Sequence, residues 1–134
     1  MATGIPNREV LANAALKWAM SHRGGYTGAD LTAYLASHFG LTAEQLDLTI
    51  IVNGQTKNLF GNLVDWVTAT FMTLHLHTGL DGAAHRRPSD RYYLTPYGYA
   101  CGEGRAQYRE ARPRKMGPAD AKPDARQLLA SEAT

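Results

Sequence analysis

Apolar side chains return every three or four residues through much of the first hundred positions. Each run is bracketed by residues that start or stop helices. Leu11, Ala14, Ala15, Trp18 and Ala19 form the first stripe. It predicts a helix over about 7–22, with Asn7 as N-cap and Glu9 in the first turn, where the helix dipole favours negative charge. Gly24 and Gly25 end it. Leu31, Leu35 and Phe39 mark a second helix, with Tyr34 and His38 beside the stripe. Thr27-Gly28-Ala29-Asp30 opens it as a capping pattern, and Gly40 supplies the stop. Thr42-Ala43-Glu44-Gln45 repeats the capping pattern and predicts a short third helix over about 43–48. The next run, DLTIIV from Asp47 to Val52, is too short for periodicity to separate a strand edge from a buried extended connector. Asn53-Gly54 then signals a turn.

The longest stripe is Phe60, Leu63, Val64, Val67, Phe71 and Leu74. It predicts a helix over about 57–77, capped by Thr56, closed by His75-Leu76-His77 and stopped at Gly79. Trp66 and Thr70 flank the stripe, while Lys57, Asn58, Gly61, Asn62, Asp65 and Thr68 lie off it. Leu80 begins an outgoing strand, Asp81 to Asp90 form a polar hairpin tip, and Arg91 to Thr95 return. Alternation puts Tyr92 and Leu94 on one face of that strand and Arg91, Tyr93 and Thr95 on the other. Pro96-Tyr97-Gly98 stops it. A long helix followed at once by a basic hairpin is how a winged helix-turn-helix ends. The expected fold is therefore mainly α with a small β-hairpin wing.

Composition sharpens this picture. A chain of 134 residues suits one domain. The expected division is a winged-helix domain over 1–101 and a basic, then mixed-charge tail over 102–134. Three prolines and little apolar material besides Leu128-Leu129 make about 103–134 read as largely disordered, with a short basic helix allowed over 105–115. No apolar run approaches the roughly 20 residues that span a bilayer. The start lacks the basic-then-apolar blocks of a signal peptide, and the single Cys101 makes no internal disulfide, so a cytoplasmic protein is expected. The net charge of +2 hides an asymmetry. Residues 1–84 carry four Lys/Arg against six Asp/Glu, and residues 85–134 carry ten against six. A basic segment beside a slightly acidic body suits phosphate contacts.

The chemistry-bearing residues point to binding. No nucleophile–base set, metal set or phosphate loop stands out, so no catalytic residue, metal or cofactor is expected. Glu44 and Asp47 share a helical face without a His or third ligand and read as a solvated pair. His75 and His77, two apart on a helix, do not face each other and suit a charge near its C-terminus. A duplex-binding helix needs hydrogen-bonding side chains in its first turns. Gln55, Thr56, Lys57, Asn58 and Asn62 qualify. Asn and Gln pair bidentately with adenine, and Lys reaches guanine or phosphate. Arg86, Arg87 and Arg91 in the wing suit flanking backbone or a minor groove. Asp65, one turn on, opposes phosphate and suits cytosine N4 or a local cation.

Several of these residues carry a family resemblance. Gly54-Gln55-Thr56, Phe60-x-Asn62-x-x-x-Trp66, Thr78-Gly79-Leu80, Arg91-Tyr92-Tyr93-Leu94-Thr95 and Gly98 resemble the amino-terminal domain of Mrr-type restriction endonucleases. Phe39-Gly40-Leu41-Thr42 fits the same pattern upstream, and the resemblance covers roughly 8–100. It implies a winged helix that binds DNA, usually attached to a nuclease domain. The 34 residues after position 100 are too few to fold that nuclease. The expectation is a non-catalytic DNA-binding regulator or modulator of bacterial or phage origin. Its partner would be double-stranded DNA, with a homodimer allowed and no membrane involved. The rival is a winged helix used as a protein-interaction module, an adaptor or an inhibitor of a host enzyme, favoured by the acidic body and Asp65.

Overall fold

Capping side chains set most of the helix starts. The computed structural model describes residues 3–80, 88–106 and 123–127. Asn7 accepts a hydrogen bond from the Val10 N–H at 3.0 Å and opens α1 (Arg8–Met20). This helix buries Leu11, Ala12, Ala15, Leu16 and Ala19, and Trp18 packs against the core from a half-buried position. Gly25 follows with φ +82 in the left-handed region, and a Cβ there would stand 2.8 Å from the Tyr92 carbonyl oxygen. Only glycine lets the chain pass that close. A short strand β1 (Tyr26–Thr27) leads directly into α2 (Gly28–His38). Thr27 and Asp30 form the reciprocal capping box, at 3.0 and 3.1 Å. The hydrogen bonds from Thr27 hold the Asp30 carboxyl below its ordinary range, and Arg91 adds to this from a distance. Thr42 and Gln45 repeat the box at the start of α3 (Ala43–Leu46).

The DLTIIV run resolves into a strand. β2 (Thr49–Val52) pairs antiparallel with β3 (Gln55–Asn58) through a two-residue turn. Asn53 (φ 52) and Gly54 (φ 77) are both left-handed, the geometry that matches the twist of tight hairpins and that Asn-Gly supplies. This displaces the expected start of the long helix. α4 runs Leu59–Thr73, and its N-cap is Asn58. Thr56 lies mid-strand, opposite Ile51. The far end differs as well. Leu76 N–H bonds back to the Phe71 carbonyl at 2.8 Å and His75 N–H to Met72 at 3.2 Å, with His75 left-handed at φ 60. That is a Schellman stop with histidine where glycine is usual. It releases Leu76, which is fully buried, and starts β4 (His77–Leu80) within the segment expected to be helical.

β4 pairs antiparallel with β5 (Pro88–Leu94), and β5 pairs with β1, giving a three-stranded sheet in the order β1-β5-β4. The architecture is mixed α/β, with two small antiparallel sheets where one hairpin was expected. The expected alternation on the return strand also gives way at its end: Tyr93, Leu94 and Thr95 are all buried. Pro96 stops the strand and opens a helix, α5 (Pro96–Gly102), capped by Thr95. A Cβ on Gly98 would fall 2.1 Å from the Leu76 carbonyl oxygen, so α5 rests on bare backbone of β4's approach.

The core gathers Leu11, Leu31, Leu35, Phe60, Val67, Phe71, Leu76 and Leu94, each at most 2% exposed. Each such side chain contributes up to about 1.5–3 kcal/mol by leaving water. Within the segment expected to be a disordered tail, a short stretch is ordered against the body. Residues 123–127 pack on the body, with Gln127 fully buried. Its Oε1 accepts from the Leu94 N–H at 3.1 Å and its Nε2 donates to the Ala19 carbonyl at 3.0 Å. Asp124 N–H donates to the Leu94 carbonyl at 2.7 Å. The buried Leu94 N–H and carbonyl of β5 face away from β4 and find their partners here, and that need holds the segment in place. The allowed basic helix over 105–115 falls almost wholly outside the described residues. No described helix is long and apolar enough to cross a membrane.

Candidate nucleic-acid interface

The junction between β3 and α4 holds an open depression of about 140 Å³ lined by Lys57, Asn58, Gly61, Asn62 and Asp65. The wall comes from two elements. Lys57 projects from the end of the hairpin ladder, opposite Ile50, while Gly61, Asn62 and Asp65 lie on the first turns of α4 away from its buried stripe. Gly61 keeps the floor open: a Cβ there would press on the Asn58 carboxamide oxygen at 3.3 Å.

The polar groups lining it are not equivalent. Asn58 is committed on both sides. Its Oδ1 accepts from the Gly61 N–H at 2.7 Å and its Nδ2 donates to the Leu46 carbonyl at 2.6 Å. It caps α4 and ties α3 to it, so its amide is not free to read a base. The half-buried Asn62 has no side-chain partner among the described residues, and neither does the exposed Lys57. Asp65 is exposed; its backbone carbonyl accepts from Thr68 Oγ1 at 3.0 Å, a bond that does not involve the carboxylate. The site thus offers a cation, a carboxamide and a carboxylate side by side.

The other expected contacts are dispersed. Gln55 and Thr56 are exposed on β3 nearer the Asn53-Gly54 turn and outside the depression. They belong to a strand, because the β-branched TIIV run and the Asn-Gly turn draw them into a ladder before a helix can start. Arg91 is exposed on β5, in register with Thr27, and so stands in the other sheet. Arg86 and Arg87 lie outside the described residues.

His77 is the residue whose role sequence reasoning missed. Expected as a charge at a helix end, it is 1% exposed in β4. Its Nε2 lies 3.0 Å from the Thr68 carbonyl, which can only accept, so the proton sits on Nε2. Nδ1 therefore accepts from the Tyr26 hydroxyl at 2.6 Å. The ring stacks on Tyr92 at 4.2 Å and meets the edge of Phe71 at 5.5 Å. Burial pushes the imidazole down to about 4, so it is neutral at pH 7. Burial, and then the neighbouring Tyr92, push the Tyr26 phenol far above its ordinary value. The cluster ties β1, β4 and α4 together without exposing a reactive atom. The strand alternation that would have revealed it was masked by the helical spacing of Leu74 with Phe71. Among the described residues no group of three His, Cys, Asp or Glu could hold a metal ion.

Comparison with family models, with curated proteins and with solved structures finds no match.

Proposed function

We propose that the chain is a winged-helix module that binds double-stranded DNA, akin to the amino-terminal domain of Mrr-type endonucleases, and acts by binding rather than by catalysis. The observation that carries this reading is the element order. A helix and a short strand, three further helices with a hairpin ahead of the last, and a closing strand pair whose return strand joins the first strand in a β1-β5-β4 sheet, are compatible with a winged helix. In that arrangement α4 takes the recognition position and the β4–β5 hairpin is the wing. The β2–β3 hairpin is then an insertion ahead of the recognition helix.

The chemistry follows from which groups are free. Asn62 presents an uncommitted carboxamide suited to the paired acceptor and donor of adenine. Lys57 supplies a cation for phosphate or guanine at the mouth of the same depression. Asp65 accepts from cytosine N4 and disfavours other bases there, so it contributes discrimination more than affinity. Arg86, Arg87 and Arg91 hold flanking backbone.

Fluorescence anisotropy with a labelled duplex library tests this. Arg86→Ala with Arg87→Ala should weaken binding to all sequences and reduce the salt slope by about one unit for each phosphate no longer neutralised. Asn62→Ala should weaken binding only to preferred sequences, by about 1–3 kcal/mol. Binding that both variants leave unchanged would refute the assignment.

The exposed side of α4 supports a second reading. After Lys57 it carries Asp65 and no cation, an unusual surface to lay against phosphate. A protein-interaction module is the alternative, and a stoichiometric partner retained after nuclease treatment of a bacterial lysate would favour it.

A further inference from the structure

We propose that β2 is the pairing edge of a symmetric dimer, joining this chain to a second copy of itself. Backbone direction supplies the first observation. The Leu48 carbonyl accepts from the Leu59 N–H at 2.8 Å, and Ile50 and Val52 stand opposite Lys57 and Gln55. In an antiparallel ladder successive residues aim their backbone groups to alternate sides. Leu48, Ile50 and Val52 therefore aim at β3. Thr49 and Ile51 aim their N–H and carbonyl groups at the outer edge, where no described residue bonds them.

Among the described residues that edge is unguarded. Natural sheets protect open edges with lysine, proline, a bulge or a covering element. β2 reads Thr-Ile-Ile-Val, without charge or proline, and Ile51 is 73% exposed. Leu48 and Ile50, each 37% exposed, lie on its other face. The opposite edge, β3, carries Lys57. Among the described residues the hairpin is thus protected on one side only.

The unprotected strand is complementary to itself. A two-fold axis perpendicular to the sheet at Ile51 sets Ile51 opposite its own copy. The two residues then exchange both backbone hydrogen bonds. Ile50 and Val52 face each other across the axis, so β-branched side chains meet at three consecutive positions and no charge is buried. Two marginal two-stranded hairpins become one four-stranded sheet in the order β3-β2-β2-β3, with the Leu48, Ile50 and Val52 stripe running across the join. Lys57 and Asn58, on β3, stay outside the contact, and the dimer does not depend on the DNA-binding reading.

Sedimentation equilibrium of the full chain tests the proposal. A reversible monomer–dimer equilibrium is expected at micromolar concentration. Ile51→Lys, which sets like charges opposite each other, should raise the dissociation constant roughly tenfold or more while leaving the melting curve of dilute, monomeric protein in place. In a Cys101→Ala background, Ile51→Cys should form a disulfide-linked dimer under mild oxidation, because such a pair stands about 5.5 Å apart between Cα atoms. Ile50→Cys, diagonal to its own copy, should cross-link far more slowly. A monomer at every concentration, a dimer indifferent to Ile51→Lys, or equal cross-linking at both positions would overturn the proposal.

Discussion

Helix α4 is entered through the β2–β3 hairpin and left through the β4–β5 pair, and the two are held in opposite ways. β4 and β5 bring His77, Thr78, Tyr93 and Leu94 into the interior, where β1, α5 and residues 123–127 lean on them. β2 and β3 have no fully buried residue, and their ladder is held by the Asn53-Gly54 turn and by Asn58 at the foot of α4. The first hairpin therefore presents side chains to solvent, and the second fixes the helix to the core. Residues available for recognition gather where stability is not being made.

Mutations should separate the two hairpins by size of effect. The largest loss belongs beside β4. Gly98→Ala drives a methyl group into the Leu76 carbonyl and should cost about 3 kcal/mol, read as a large fall in Tm. A Gly98→Ala protein that melts like the parent would show that α5 does not rest on β4 as described.

The next effect is acid lability from His77. Its folded value is about 4, below the ordinary 6.5 of an unfolded histidine. The unfolded chain thus binds a proton that the folded chain refuses. Stability from this group is full above pH 6.5, falls as pH drops through that value, and is gone near pH 4. The loss is at most on the order of 3 kcal/mol. Urea unfolding from pH 7 to 4 should show this slope, and His77→Gln should flatten it. An equal slope in both proteins would remove His77 as its source.

The smallest effect belongs to the exposed hairpin. Gly54→Ala forces a left-handed alanine and should cost about 1 kcal/mol, without touching the acid transition. A loss comparable to that of Gly98→Ala would erase the distinction between the hairpins.

The same contrast explains what could be read from the sequence. Asn7, Thr27 and Thr42 cap helices with their own side chains, a local interaction that needs no knowledge of the fold. Gly40 closes α2 in a Schellman turn at φ 59, as a glycine there suggests. α4 closes in the same turn with His75, and no local signal marks it. The demand comes from Leu76 and His77, which the core and Tyr26 draw into a strand against the helical spacing. At the other end Thr56 is the expected cap. The ladder with β2 takes Gln55 and Thr56 off the helix and leaves Asn58 to cap it. Of the residues expected to touch DNA, Lys57, Asn58 and Asn62 do share one depression. That the other side of the Asn58 amide is occupied as well depends on Leu46, which no spacing rule brings near. The docking of Gln127 depends likewise on α1 and β5 being already in place.

The most direct test of the DNA-binding account is amide chemical-shift mapping of the labelled full chain titrated with a short duplex at low salt. The account predicts that the largest shifts fall on Lys57, Gly61, Asn62 and Asp65, with a second group around Arg91 and the adjoining wing. Shifts confined to α1 and α5, or a spectrum that the duplex leaves unchanged, would contradict it.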